Sequence, residues 1–102
     1  MIHVIATIQL ASGKQAEFLD HFHALVPLVR AEAGCLEYGP TTDVATGLPA
    51  QPAVRADVVV VVEKWESLPA LQAHLVAPHM LVYRERVKEL VQGVELRVLQ
   101  PA

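Results

Sequence analysis

Five consecutive valines, Val58 to Val62, stand near the middle of the chain. β-Branched side chains are poor helix formers and fit a pleated strand, where successive side chains point to opposite faces. A strand from Asp57 to Glu66 built on this run is apolar on both sides, and a sheet with one solvated face has no need of that. Both faces must therefore be buried. With 102 residues the chain is one domain in length, and halves of it are too small to enclose cores of their own. One layer of helices covers one face; the least costly cover for the other is the same face of a second copy across a two-fold axis. The valine run thus predicts a homodimer.

The remaining elements come from periodicity. Ile2, Val4, Ala6, Ile8 and Leu10 alternate with His3, Ile5, Thr7 and Gln9, the pattern of a first strand. Phe18, Phe22, Leu25 and Val29 recur at helical spacing, with Leu19 and Val26 widening the stripe; Ser12 is the expected cap and Gly34 the expected stop. Pro27 lies inside this helix and removes a donor, so a kink or break is expected there. Cys35 to about Val44 reads as a second strand, and Ala45 to Ala56, with Gly47, Pro49 and Pro52, as a hairpin loop. After the valine strand, Ser67 caps a short helix with Pro69 in its first turn, Ala77-Pro78 interrupts, and a longer helix runs to Gln92 before Gly93 ends it. Val94, Leu96 and Val98 alternate as a closing strand.

The order is βαββαβ, with the second helix in two pieces. It predicts an α+β, ferredoxin-like domain over residues 1–102, an antiparallel sheet with helices on one face, paired into a dimeric α/β barrel. Apolar residues are 53% of the chain and charged residues 19%, yet no apolar stretch approaches the ~20 residues that span a bilayer. The net charge of -3 and scattered basic residues offer no footprint for nucleic acid or an anionic membrane. Cys35 is the single cysteine and no secretory leader is visible after Met1, which together predict a reducing, cytoplasmic setting.

Chemistry-bearing residues gather in two places. Period two puts Glu63 and Trp65 on one face of the valine strand, with Val59 and Val61 deeper along it. His74 borders the apolar stripe of the short helix, His79 opens the longer one, and Tyr83 lies a turn further on the side of Met80 and Val87. Two imidazoles, a phenol and an indole are expected to converge between sheet and helices, with His74, His79 and Trp65 bordering one cavity. Each also has an ordinary explanation: Trp65 as core filler, the histidines as helix caps, Glu63 as partner of a neighbouring Lys or Arg. Metal-ligand spacing is absent, since His21 and His23 splay apart on a helix and His74 and His79 straddle a proline break. No phosphate loop, nucleophile elbow or Cys/His arrangement is present.

The stretch Arg30-Ala31-Glu32-Ala33-Gly34-Cys35-Leu36-Glu37-Tyr38, then Glu63-Lys64-Trp65-Glu66-Ser67, then His74-Leu75 and Pro78-His79, resembles the antibiotic biosynthesis monooxygenase family, including its quinol monooxygenases. The resemblance covers nearly the whole chain. It implies a ferredoxin-like homodimer that oxidises a quinol-like or polyphenolic molecule with O2, without metal or flavin. Carried over by position, Trp65 matches the aromatic of the family's pocket, and His74 and His79 its usual histidines. The haem-degrading branch and the anthrone oxidisers use a pocket asparagine, and this chain has no Asn, which disfavours haem degradation. On this reading His74 or His79 is the base, Trp65 and Tyr83 are aromatic walls, and Tyr38 or Arg86 serves an oxyanion, with Glu63 beside the substrate. An isomerase or lyase of a small carbonyl metabolite, and a non-catalytic dimeric binding protein, are the alternatives.

Overall fold

The computed structural model describes residues 1–102. Strands β1 (Ile2–Leu10), β2 (Cys35–Thr41), β3 (Val58–Trp65) and β4 (Val91–Leu99) form one antiparallel sheet in the order β2-β3-β1-β4. Helices α1 (Gln15–Arg30), α2 (Leu68–Leu75) and α3 (Pro78–Val87) lie against one side of it. This is the expected βαββαβ order with the second helix in two pieces.

Register assigns the faces. Val4 pairs with Glu63, Ala6 with Val61 and Ile8 with Val59, and all six side chains turn toward the helices. There they meet Phe18, Phe22, Leu25, Val26 and Val29, the apolar stripe of α1, in a single buried cluster. Burying side chains of this size stabilises by roughly 1.5–3 kcal/mol each, which accounts for α1 running unbroken through Pro27. The expected break is overridden because buried residues on both sides of the proline hold the helix down.

On the opposite face, Ile5 pairs with Val62 and Thr7 with Val60, flanked by Gly39 and Thr41 of β2 and by Glu95 and Arg97 of β4. Val62 is 38% exposed and Val60 half-buried, so in one chain this face is open. The helices also stop short of β4, whose Val94, Leu96 and Val98 turn toward the helix side yet stay exposed.

Several sequence-based boundaries need correction. Ser12 caps nothing: Gly13 adopts a φ of +74° in a tight turn, its N–H donates to Asp57 Oδ1 at 3.0 Å, and α1 begins at Gln15. α3 ends at Val87, and Gly93 lies within β4 opposite Gln9, because pairing with β1 claims the chain from Val91 onward. β2 stops at Thr41, before Val44.

Gly34 fixes the distance between the end of α1 and α2. Its φ is +82°, and a Cβ there would sit 2.6 Å from the Cβ of Ala70 in α2. The turn after α1 and the helix carrying His74 therefore touch backbone to side chain, a contact that a larger residue forbids.

Candidate active site

Between α3 and the sheet lies a cavity of about 260 Å³, lined mostly by apolar side chains. Ala6 and Ile8 of β1 and Val61 of β3 form its floor, and the small Ala6 leaves room that a larger residue would fill. Val94 and Leu96 of β4 rim the mouth opposite the last turn of α3. Four of the expected residues line it: Tyr38, Glu63, His74 and Tyr83.

Each is placed by its element. Glu63 stands two residues after Val61 on β3 and shares its helix-facing side; in an otherwise apolar stripe it is a buried carboxyl, 5% exposed. Its Oε1 accepts from the Trp65 indole N–H at 2.9 Å. Burial pushes the Glu63 carboxyl up to about 7; the indole bond opposes the rise and the nearby Glu32 adds to it. His74 sits in the last turn of α2, where the Ser67 hydroxyl accepts from the Ala70 N–H at 3.3 Å and fixes the helix start as expected. The His74 ring is 2% exposed, packed on Trp65 with centroids 4.7 Å apart and edge-on to Tyr38 at 5.4 Å. Burial lowers its pKa, with Glu32 opposing, so the neutral ring is favoured. Burial also raises the phenols of Tyr38 and Tyr83, so both remain hydroxyl donors at neutral pH.

No sealed side-chain nitrogen or oxygen lacks a hydrogen-bond partner. His74 Nε2, Glu63 Oε2 and the Tyr38 hydroxyl make no bond to protein, so they open onto the cavity that these residues line. A proton acceptor, a carboxyl that titrates near neutrality and a phenol donor thus face one apolar space.

The other three expected residues lie elsewhere. Trp65 is fully buried behind the lining, touching His74 and Glu63 and not the cavity itself. His79 and Arg86 border a separate groove between α1 and α3 with His21 and Leu28. Helical spacing explains the split: Met80, Arg84 and Val87 share the inner face of α3, whereas His79, Val82 and Arg86 share the face toward α1. Sequence reasoning does not reach Arg84 and Lys88, which border the cavity, although Arg84 stands four residues after Met80 and three before Val87. Nor does it reach Glu32. This residue comes just after α1, and its Oε2 accepts from His74 Nδ1 at 2.9 Å and from His79 Nε2 at 2.7 Å. Nothing local in the sequence announces a contact between residues 42 and 47 positions apart.

A ferredoxin-like α+β sheet with an apolar cavity under its helices, armed with a buried carboxyl, an imidazole and two phenols, defines a small-molecule pocket protein. The chain belongs to a known family: residues 1–86 match the antibiotic biosynthesis monooxygenase model. It is 42% identical over 103 residues to the protein described as probable quinol monooxygenase YgiN of Escherichia coli K12, covering 99% of this chain and 98% of that protein. The crystal structure of PA3566 from Pseudomonas aeruginosa superposes with a TM-score of 0.81 at 29% identity, covering 99% of this chain and 93% of the other. That of Rv0793 from Mycobacterium tuberculosis gives 0.79 at 27% identity, covering 99% and 94%.

Proposed function

We propose that the protein is a cofactor-independent monooxygenase that oxidises a quinol-like or polyphenolic small molecule with O2. The observation that carries this reading is the set of unpartnered polar atoms, His74 Nε2, Glu63 Oε2 and the Tyr38 hydroxyl, in one apolar cavity. The family and the quinol monooxygenase relative support it.

The substrate supplies the electrons. His74 Nε2 takes the phenolic proton, and the Tyr38 hydroxyl and protonated Glu63 donate to the oxyanion that forms. The dry, apolar walls favour passing an electron to O2 over holding a solvated phenolate. Joining the resulting carbon radical to superoxide forms a C–O bond, and loss of water across the H–C–O–OH group leaves a carbonyl. The balance is quinol plus O2 to hydroxyquinone plus water, with the ring supplying all four electrons that O2 takes up and no outside reductant. Oxygen uptake with a panel of hydroquinones, together with mass analysis of a product heavier by one oxygen less two hydrogens, is the expected result. Binding without uptake would indicate a ligand-binding protein, and an isomerised product without uptake an isomerase or lyase; either overturns the proposal.

The open face bearing Ile5, Val60 and Val62 is proposed to pack on its counterpart in a second copy, giving the dimeric barrel. Light scattering after size exclusion should return twice the 11.1 kDa chain mass. Val60→Asp would place an unpaired carboxylate in that interface, costing several kcal/mol, and should give monomer or unfolded chain. A Val60→Asp variant that stays dimeric with unchanged melting would refute the interface.

A further inference from the structure

The Glu32 carboxylate lies outside the cavity lining and joins a buried imidazole to a part-exposed one. Its side chain is 14% exposed, that of His74 2% and that of His79 24%. A carboxylate only accepts, so the ring nitrogens that meet Oε2 are the ones bearing hydrogen: Nδ1 of His74 and Nε2 of His79. A neutral His74 with hydrogen on Nδ1 has its lone pair on Nε2, the nitrogen open to the cavity. Free imidazole side chains favour the other tautomer, with hydrogen on Nε2, which would leave no acceptor for a substrate proton.

We infer that Glu32 is the positioning residue of the base: it holds His74 in the Nδ1–H tautomer and stabilises the imidazolium that forms when Nε2 takes the substrate proton. This rests on the reading of His74 as the base. The step balances without a relay: Nε2 gains the proton that the substrate oxygen loses, Nδ1 keeps its hydrogen and its bond to Glu32 Oε2, and the imidazolium formed pairs with the carboxylate, while the His79 Nε2–H donates to the same oxygen and holds it in place. The contact is sustained by the fold, because the turn that carries Glu32 is pressed on α2 where Gly34 meets Ala70. His74 is also faced by Glu63 of β3, Tyr38 of β2 and Arg84 of α3, none of which bonds Nδ1.

Nitrogen-15 NMR of the ring nitrogens in the resting protein tests the tautomer without any substrate. The expected wild-type spectrum has His74 Nε2 pyridine-like and Nδ1 pyrrole-like, and Glu32→Ala should move His74 to the opposite tautomer. The opposite tautomer in wild type, or a Glu32→Ala spectrum identical to wild type, overturns the inference. With a hydroquinone substrate, Glu32→Ala should lower kcat by roughly 10²-fold or more with KM within about threefold. His79→Ala should keep the His74 tautomer, because the bond from Nδ1 to Glu32 remains. Loss of that tautomer in His79→Ala would overturn the assignment to Glu32 and place the control at His79. A wild-type protein inert to every hydroquinone sinks the functional proposal, and the spectrum then decides Glu32 by itself.

Discussion

His74→Ala is expected to cut turnover of a hydroquinone by roughly 10²- to 10⁴-fold per folded molecule, the usual consequence of losing a general base. Most of the loss should fall on kcat, since an apolar cavity lined by Ile8, Val61 and Leu96 keeps its affinity for an aromatic ring. The wild-type rate should hold as pH falls below the ordinary histidine value, because burial lowers the His74 pKa, and then drop once the ring is protonated. Trp65→Phe tests a different link. It removes the N–H that bonds Glu63 Oε1 while keeping most of the packing on His74, so it should raise the Glu63 pKa further. A His74→Ala variant with wild-type turnover would exclude the imidazole as base.

Glu63→Gln is expected to stabilise the protein at alkaline pH and to flatten its stability profile. The Glu63 carboxyl titrates at about 7 in the folded protein against an ordinary value of 4.5, so the native state binds this proton more tightly than the unfolded chain. Its contribution to stability is therefore fully present below 4.5 and is lost as pH rises through 7. A shift of this size corresponds to about 3 kcal/mol, and for a domain of this length that is on the order of 10 °C in melting temperature. Glutamine retains an oxygen for the Trp65 indole and has no proton to lose. Urea unfolding of both proteins at pH 5 and pH 8 should therefore show the wild type losing ground to Glu63→Gln at the higher pH. Parallel behaviour at the two values would mean that the carboxyl is not desolvated. A substrate hydroxyl that donates to Glu63 would reduce the same penalty, which is a reason for a binding site to keep a destabilising carboxyl.

The burial of Glu63 is half legible in the sequence. Period two along β3 places it with Trp65 and Val61, and the structure keeps it on that side. Its bond partner is not legible: a Lys or Arg on a neighbouring strand is the ordinary expectation, and the carboxyl instead accepts from Trp65, two residues away on its own strand. His74 is found from its place at the edge of a helical stripe. His79 is grouped with it by nearness in sequence, but the break at Ala77-Pro78 turns α3 so that His79 and Arg86 look toward α1 and the second groove.

Local rules are enough for the architecture. Alternation in β1, the stripe of α1, the valine run and the Ser67 cap each depend on neighbours a few residues apart, and periodicity reports such geometry directly. Element ends are less secure where long-range pairing competes with local signals, as when β1 draws Val91 and Gln92 out of the expected helix and leaves Gly93 inside a strand. The site depends on tertiary structure almost entirely. Glu32 meets His74 and His79 only because Gly34 allows the turn after α1 to press on α2, and Arg84 reaches the cavity only through the rotation that α3 acquires after its proline. A sequence shows which side of its own helix or strand a residue occupies; which carboxylate lies across from an imidazole is settled when separate elements pack, and so by the tertiary fold.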